Sequence, residues 1–124
     1  MRKVHWVKSS LSDLRSFPQD AQSNLGYGIY LAQVGDKHPL AKPLRHDLAG
    51  VMEMVSESTG GNTYRAVYTV KLEPFLYVLH CFEKKSRSGV ATPKRHLDLI
   101  RSRLKEAKSE CEEYWRSSHA KDAS

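Results

Sequence analysis

Arg65, Lys84 and Lys85 are the residues through which this chain could do chemistry. Arg65 stands near the start of the run Tyr64-Arg65-Ala66-Val67-Tyr68-Thr69-Val70-Lys71. The lysine pair closes the run from Phe75 to Lys85. Both runs are rich in β-branched and aromatic residues, the composition of strands. A short turn around Glu73-Pro74 joins them. In an antiparallel hairpin the start of one run lies beside the end of the other, so Arg65 should sit near Lys84 and Lys85. Three cations on a rigid sheet can hold a phosphate: arginine offers a planar fork to two oxygens, lysine a point charge. A lysine also serves as a base when burial or neighbouring cations lower its pKa, and Arg87 in the following loop adds to that field. The plainer alternatives are an ion pair of Arg65 with Glu53 or Glu83, and a solvated strand end for the lysines.

The net charge is +6 over 124 residues. It is concentrated: residues 84–108 hold nine Lys/Arg against two acids, residues 1–83 nine against eight, and residues 109–124 two against four. A local basic patch suits nucleic acid or an acidic protein, although a solvated basic helix face looks the same in sequence. Apolar residues make up 40%, enough for one folded domain. No run approaches the length of a membrane span and no signal peptide is visible, so a cytoplasmic protein with no membrane partner is expected. Cys81 and Cys111 fall on apolar positions and read as small buried hydrophobes. Scattered histidines and the lack of a CxxC motif give no reason to expect a metal or cofactor.

Those cations need elements to position them. Val4 and Trp6 alternate with polar residues and predict a first strand. Ser10-Leu11-Ser12-Asp13 has the form of a capping box, predicting a short helix from Ser10 that Phe17-Pro18 ends. Ala21, Leu25, Ile29 and Ala32 lie on one face of a second helix, with Pro18 in its first turn and Gly35 as its cap. Gly26 and Gly28 read as sites of close helix packing. Residues 36–50 read as a surface loop, from which Lys42, Arg45 and His46 are candidates for a binding surface. Val51–Val55 reads as a strand with Met52 and Met54 on one face and Glu53 on the other. Gly60-Gly61-Asn62 marks a turn. Neither hairpin run has a sustained polar face, so both sides should be covered. Thr92-Pro93 signals the start of a last helix, whose stripe Leu97, Ile100, Leu104, Ala107, Cys111 and Tyr114 faces the core. Lys94, Arg95, Arg101, Lys105 and Lys108 fall on its other face. One domain over residues 1–116 and a polar, frayed tail over 117–124 complete the expectation.

The motifs Trp6-Val7, Phe17-Pro18, Gly26-Tyr27, Ala32-Gln33-Val34-Gly35, Tyr64 to Val70, Leu79-His80-Cys81-Phe82-Glu83-Lys84-Lys85 and Thr92-Pro93 occur in an order and spacing that resembles the RelE/ParE superfamily of toxin–antitoxin toxins. The nearest branch is the phage-derived, HigB-like one. The resemblance covers about residues 3–108. It implies an α+β fold: an N-terminal helical hairpin packed on a small twisted antiparallel sheet, then a C-terminal helix. It also implies a metal-free, cofactor-free endoribonuclease that cuts mRNA on the ribosome and is neutralised by a cognate antitoxin, often a helix-turn-helix protein, in an oligomeric complex. Arg65 matches the phosphate-binding arginine of RelE-type toxins, and Lys84 and Lys85 match the basic pair ending the last strand. Arg87, Lys94, Arg95, Arg45 and His46 become the expected RNA-binding residues. Glu53 stands where RelE-type toxins carry strand lysines, and Val90-Ala91 where they carry a tyrosine. HigB-type enzymes use histidines and acids, for which His46 and His80 are counterparts by residue type; His80, in mid-strand, reads as a packed residue. The alternatives are a ParE-like inhibitor of DNA gyrase and an inactive member that only binds antitoxin.

Overall fold

A computed structural model describes residues 1–44, 48–58, 61–84 and 92–122. The order of elements is β1 (Lys3–Trp6), α1 (Ser10–Arg15), α2 (Gln19–Gln33), β2 (Ala41–Pro43), β3 (Val51–Glu57), β4 (Thr63–Thr69), β5 (Phe75–Lys84) and α3 (Lys94–Asp122). The strands form one five-stranded sheet in the order β1-β5-β4-β3-β2. The fold is α+β as expected. The strand read from Val4 and Trp6 precedes the helical hairpin, so the hairpin is not N-terminal as the resemblance implied, and the sheet is mixed, not wholly antiparallel, because β1 pairs with β5 in parallel. β1 and β2 thus form opposite edges of the sheet, and α1 and α2 cross one face between them.

Strand alternation divides the core in two. Met54, Tyr64, Ala66, Tyr68, Leu76, Val78 and Cys81 turn to the face covered by α1 and α2, meeting Ala21, Leu25, Ile29 and Ala32. Val51, Val67, Tyr77, Leu79 and Phe82 turn to the other face and meet Leu97, Ile100, Leu104, Ala107 and Cys111 of α3. The central strands are therefore covered on both sides, which explains their lack of a polar face.

Local details follow from side-chain chemistry. Ser9, not Ser10, caps α1: its hydroxyl donates to Asp13 Oδ2 at 2.8 Å while its carbonyl accepts from the Asp13 amide. Ser10 is the first helical residue, fully buried. Pro18 caps α2, and Gly35 just beyond its end takes φ +87°, a conformation glycine adopts without strain. Within residues 36–50 the chain pairs Ala41–Pro43 with Met52–Met54 as an extra edge strand. Pro43 is tolerated there because an edge strand leaves amide positions unused. The last helix runs on to Asp122, so residues 117–122 extend it where a frayed tail was expected. Trp115 helps to anchor that extension by donating its indole N–H to the Glu73 carbonyl at 2.9 Å.

The two α2 glycines differ. A Cβ on Gly28 would overlap the Met54 sulfur, so this glycine does provide close packing against β3. Gly26 faces open space and does not. Gly28→Ala should cost about 1–3 kcal/mol through overpacking, whereas Gly26→Ala should gain up to about 1 kcal/mol in helix propensity. Thermal melting of the two variants, shifting in opposite directions, checks this.

Candidate functional site

The hairpin register sets the site. Thr63 pairs with Lys84 and Arg65 with Phe82, so the start of β4 does lie beside the end of β5. Pairing is interrupted where Val67 faces His80 but Tyr68 faces Val78, leaving Leu79 as an extra residue on β5. This bulge resets the alternation. It turns His80, Phe82 and Lys84 toward the α3 face, where Arg65 and Glu53 also lie; without it Lys84 would point to the opposite side.

Arg65 is 3% exposed and its Nη1 donates to Glu53 Oε1 at 2.5 Å. The anticipated ion pair with Glu53 is thus what the strand arginine makes, and its guanidinium is not open to solvent. Glu53 is equally buried and also accepts from Thr92 Oγ1 at 3.4 Å. Lys84 lies beside them, 7% exposed. Burial, and next the Arg65 guanidinium, pull its ammonium below the usual lysine value; Lys42 adds to this and Glu53 opposes it. Lys42 itself is exposed on β2, directly opposite Glu53 in the register.

Next to this cluster lies a histidine pair. His80 Nε2 and His96 Nδ1 are 2.9 Å apart, and the Phe82 ring stacks on both imidazoles, with centroids 4.9 Å from His80 and 4.1 Å from His96. Arg103 Nη1 reaches His80 Nδ1 at 3.2 Å and the Leu79 carbonyl at 2.9 Å. Burial first, then Arg103 and His96, pull the His80 pKa down to about 4. His96 is lowered as well, by burial and then by Arg95 and Lys84. Between the α1–α2 corner and the start of α3 opens a cleft of about 330 Å³, whose lining includes Asp13, Phe17, Tyr64, Glu83, Arg95 and His96.

The lowered His80 value has a consequence for stability. Its folded pKa lies below the unfolded 6.5, so the unfolded chain binds more protons in between. Stability is present above the unfolded value and falls as pH drops from about 6.5 toward 4, by about 3 kcal/mol. Urea unfolding at a series of pH values should show this slope, and His80→Gln should flatten it.

Of the residues expected from sequence, Arg65 and Lys84 come together. Lys94 and Arg95 are exposed in the first turn of α3, Lys94 bound to Asp98 at 2.9 Å and Arg95 at the rim of the cleft. Lys85, Arg87, Arg45 and His46 lie outside the described residues. His80 is a packed strand residue, as read, and it is hydrogen-bonded to His96 and Arg103. His96 and Arg103 were not singled out in the sequence. The available signal was their spacing from Ile100, four before and three after, which places both on the border of the buried stripe. Among the described residues no group of His, Cys, Asp and Glu could hold a metal ion.

A family model for phage-derived Gp49-like proteins matches residues 12–105. The chain belongs to the phage-derived Gp49-like family. This is a family of RelE-like toxins, which upholds the resemblance drawn from the strand and helix motifs and places the Gp49-like chain among toxin–antitoxin toxins. The chain is also similar to a chain of the RelBE2 toxin–antitoxin complex of Mycobacterium tuberculosis, with 19% identity and a TM-score of 0.47 over 67% of this chain and 98% of that one. No curated protein sequence matches it. Among the described residues no helix is long and apolar enough to cross a membrane.

Proposed function

We propose that this toxin is a metal-independent endoribonuclease that cuts mRNA during translation and is neutralised by a cognate antitoxin of helix-turn-helix type. The observation that carries the reading is Lys84, a nearly buried lysine with a lowered pKa, beside the fixed Arg65–Glu53 pair at the head of the chain's most basic segment. Its neutral amine takes the proton of a ribose 2′-hydroxyl. The 2′-oxygen attacks the adjacent phosphorus, and the bond to the 5′-oxygen breaks. The products are a 2′,3′-cyclic phosphate and, once that oxygen takes a proton from solvent water, a 5′-hydroxyl. Lys85, Arg87 and Arg95 supply positive charge to the phosphate, the stabilisation that usually contributes most in such reactions. Lys94, Arg45 and His46 extend the RNA-binding surface. Arg65 acts as a positioning residue: held by Glu53, it lowers the Lys84 pKa and does not touch the phosphate.

A protein partner has its own support. The outer side of α2 exposes Tyr27, Tyr30 and Val34, with Tyr27 57% exposed. In the first reading the antitoxin covers this aromatic strip; in a second, ParE-like reading, it binds DNA gyrase. Expression without antitoxin separates them. Growth arrest with mRNA cut in frame with codons supports the ribonuclease, and arrest with intact mRNA and DNA damage supports gyrase inhibition.

A further inference from the structure

The hydrogen bonds around His80 form a chain whose direction is fixed at both ends. Arginine has no acceptor, so Arg103 Nη1 must donate to His80 Nδ1 at 3.2 Å. A neutral His80 then carries its proton on Nε2 and donates to His96 Nδ1 at 2.9 Å. At the other end Arg103 Nη2 donates to Ser9 Oγ at 3.1 Å, and Ser9 donates to the Asp13 carboxylate at 2.8 Å. The sequence Asp13–Ser9–Arg103–His80–His96 thus ties α1, β5 and α3 together, with the Asp13 carboxylate at one end and an imidazole at the other. Asp13 and His96 line the same cleft.

The chain dictates the state of its last member. His96 accepts at Nδ1, so its single proton sits on Nε2. Protonating His96 would set two N–H groups against each other across 2.9 Å, and relieving that would turn a His80 N–H onto the Arg103 guanidinium. We propose that His96 is a substrate-positioning residue, a neutral imidazole locked in one tautomer whose Nε2–H donates to an acceptor oxygen of the RNA. This rests on the ribonuclease reading for its ligand, but not for the lock. The setting agrees: His96 is half-buried, stacked on Phe82, and flanked by Arg95 from its own helix and Lys84 from β5. Among the described residues, Asp13 and Glu83 are the acids on the cleft. A permanent donor without charge suits selection of an oxygen by geometry, and it does not exchange protons during the reaction.

Two measurements test it. Nitrogen-15 spectra of the histidine rings in the free protein should show both His80 and His96 neutral with Nε2 protonated, His80 down to about pH 5 and His96 to below the ordinary histidine value. Arg103→Met should release the lock, giving mixed tautomers at His80 and a His96 that titrates. Wild-type His96 with its proton on Nδ1, or titrating at the ordinary value, overturns the lock. The second measurement is binding of a short 2′-O-methylated ribo-oligonucleotide, which cannot be cleaved. His96→Phe keeps the stack on Phe82 but loses the donor, and should bind about tenfold more weakly. His96→Gln, which retains an N–H, should recover part of that affinity. Equal affinity for wild type and His96→Phe overturns the positioning role. A wild type that binds no RNA overturns the ribonuclease reading along with the role, and the spectra distinguish that result from failure of the lock.

Discussion

Arg65→Ala is expected to come close to unfolding the protein, because it strands the buried Glu53 carboxylate without its partner. Both members of the pair are buried, at 3% exposure each, in the middle of the sheet. Breaking such a pair from one side costs about 3–5 kcal/mol, a large share of the 5–15 kcal/mol that holds a typical domain together. Glu53→Ala should do comparable damage by leaving the guanidinium alone. Replacing both at once, as Glu53→Leu with Arg65→Met, removes both charges and keeps apolar volume on the α3 face, so most of the loss should return. Urea unfolding of the two single variants and the double variant reads this directly. A loss below about 1 kcal/mol in Arg65→Ala would match an exposed ion pair and contradict the buried arrangement. A harmless Arg65 variant in a growth assay therefore says nothing about chemistry until its folding has been measured.

Lys84→Met carries the second large effect, this time on activity. Methionine keeps the length and apolar stem of the side chain and removes the amine. It takes a cation away from both Arg65 and Glu53, and melting reads the net effect on the fold. If the amine accepts the 2′-hydroxyl proton, cleavage should fall about 10²–10⁴-fold. Lys84→Arg makes the distinction sharper. Arginine retains the positive charge but stays protonated, so an arginine variant as inactive as the methionine one identifies a base. Substantial activity in Lys84→Arg with none in Lys84→Met would instead make Lys84 a charge that holds phosphate. The assay is in vitro cleavage of translated mRNA, with circular dichroism melting to confirm that both variants are folded.

Much of this arrangement could be read from residue order. The hairpin, the helix stripes and the meeting of Arg65 with Lys84 all follow from periodicity and from the antiparallel geometry of two adjacent β-rich runs. Their joint presence on one face did not follow from it. Simple alternation along β5 would put Glu83, not Lys84, beside Arg65, and only the extra residue Leu79 reverses this. A bulge of that kind leaves no mark in composition, since Leu79 is as apolar as its neighbours. Glu53 was visible as the wrong residue for a RelE-type strand, and the Glu53 pairing stood as an alternative for Arg65. What decided between a phosphate ligand and an ion-pair partner was burial, which depends on segments distant in sequence, α3 over this face and β2 beside β3. The pairings at the sheet edges are the least legible. Ala41–Pro43 is short and proline-bearing, and the parallel pairing of Lys3–Trp6 with Phe75–Val78 joins segments some seventy residues apart. His96 and Arg103 escaped notice because each is an ordinary polar residue of a basic helix until β5 places His80 between them.

The central claim for this Gp49-like toxin is that it cuts mRNA through the site at Lys84. Primer extension on a translated message, from cells expressing the wild type or Lys84→Met without antitoxin, measures that claim directly. The wild type should produce new 5′ ends in frame with codons while growth stops, and folded Lys84→Met should produce neither. Growth arrest by the wild type with the message intact, or identical cuts from Lys84→Met, would contradict it.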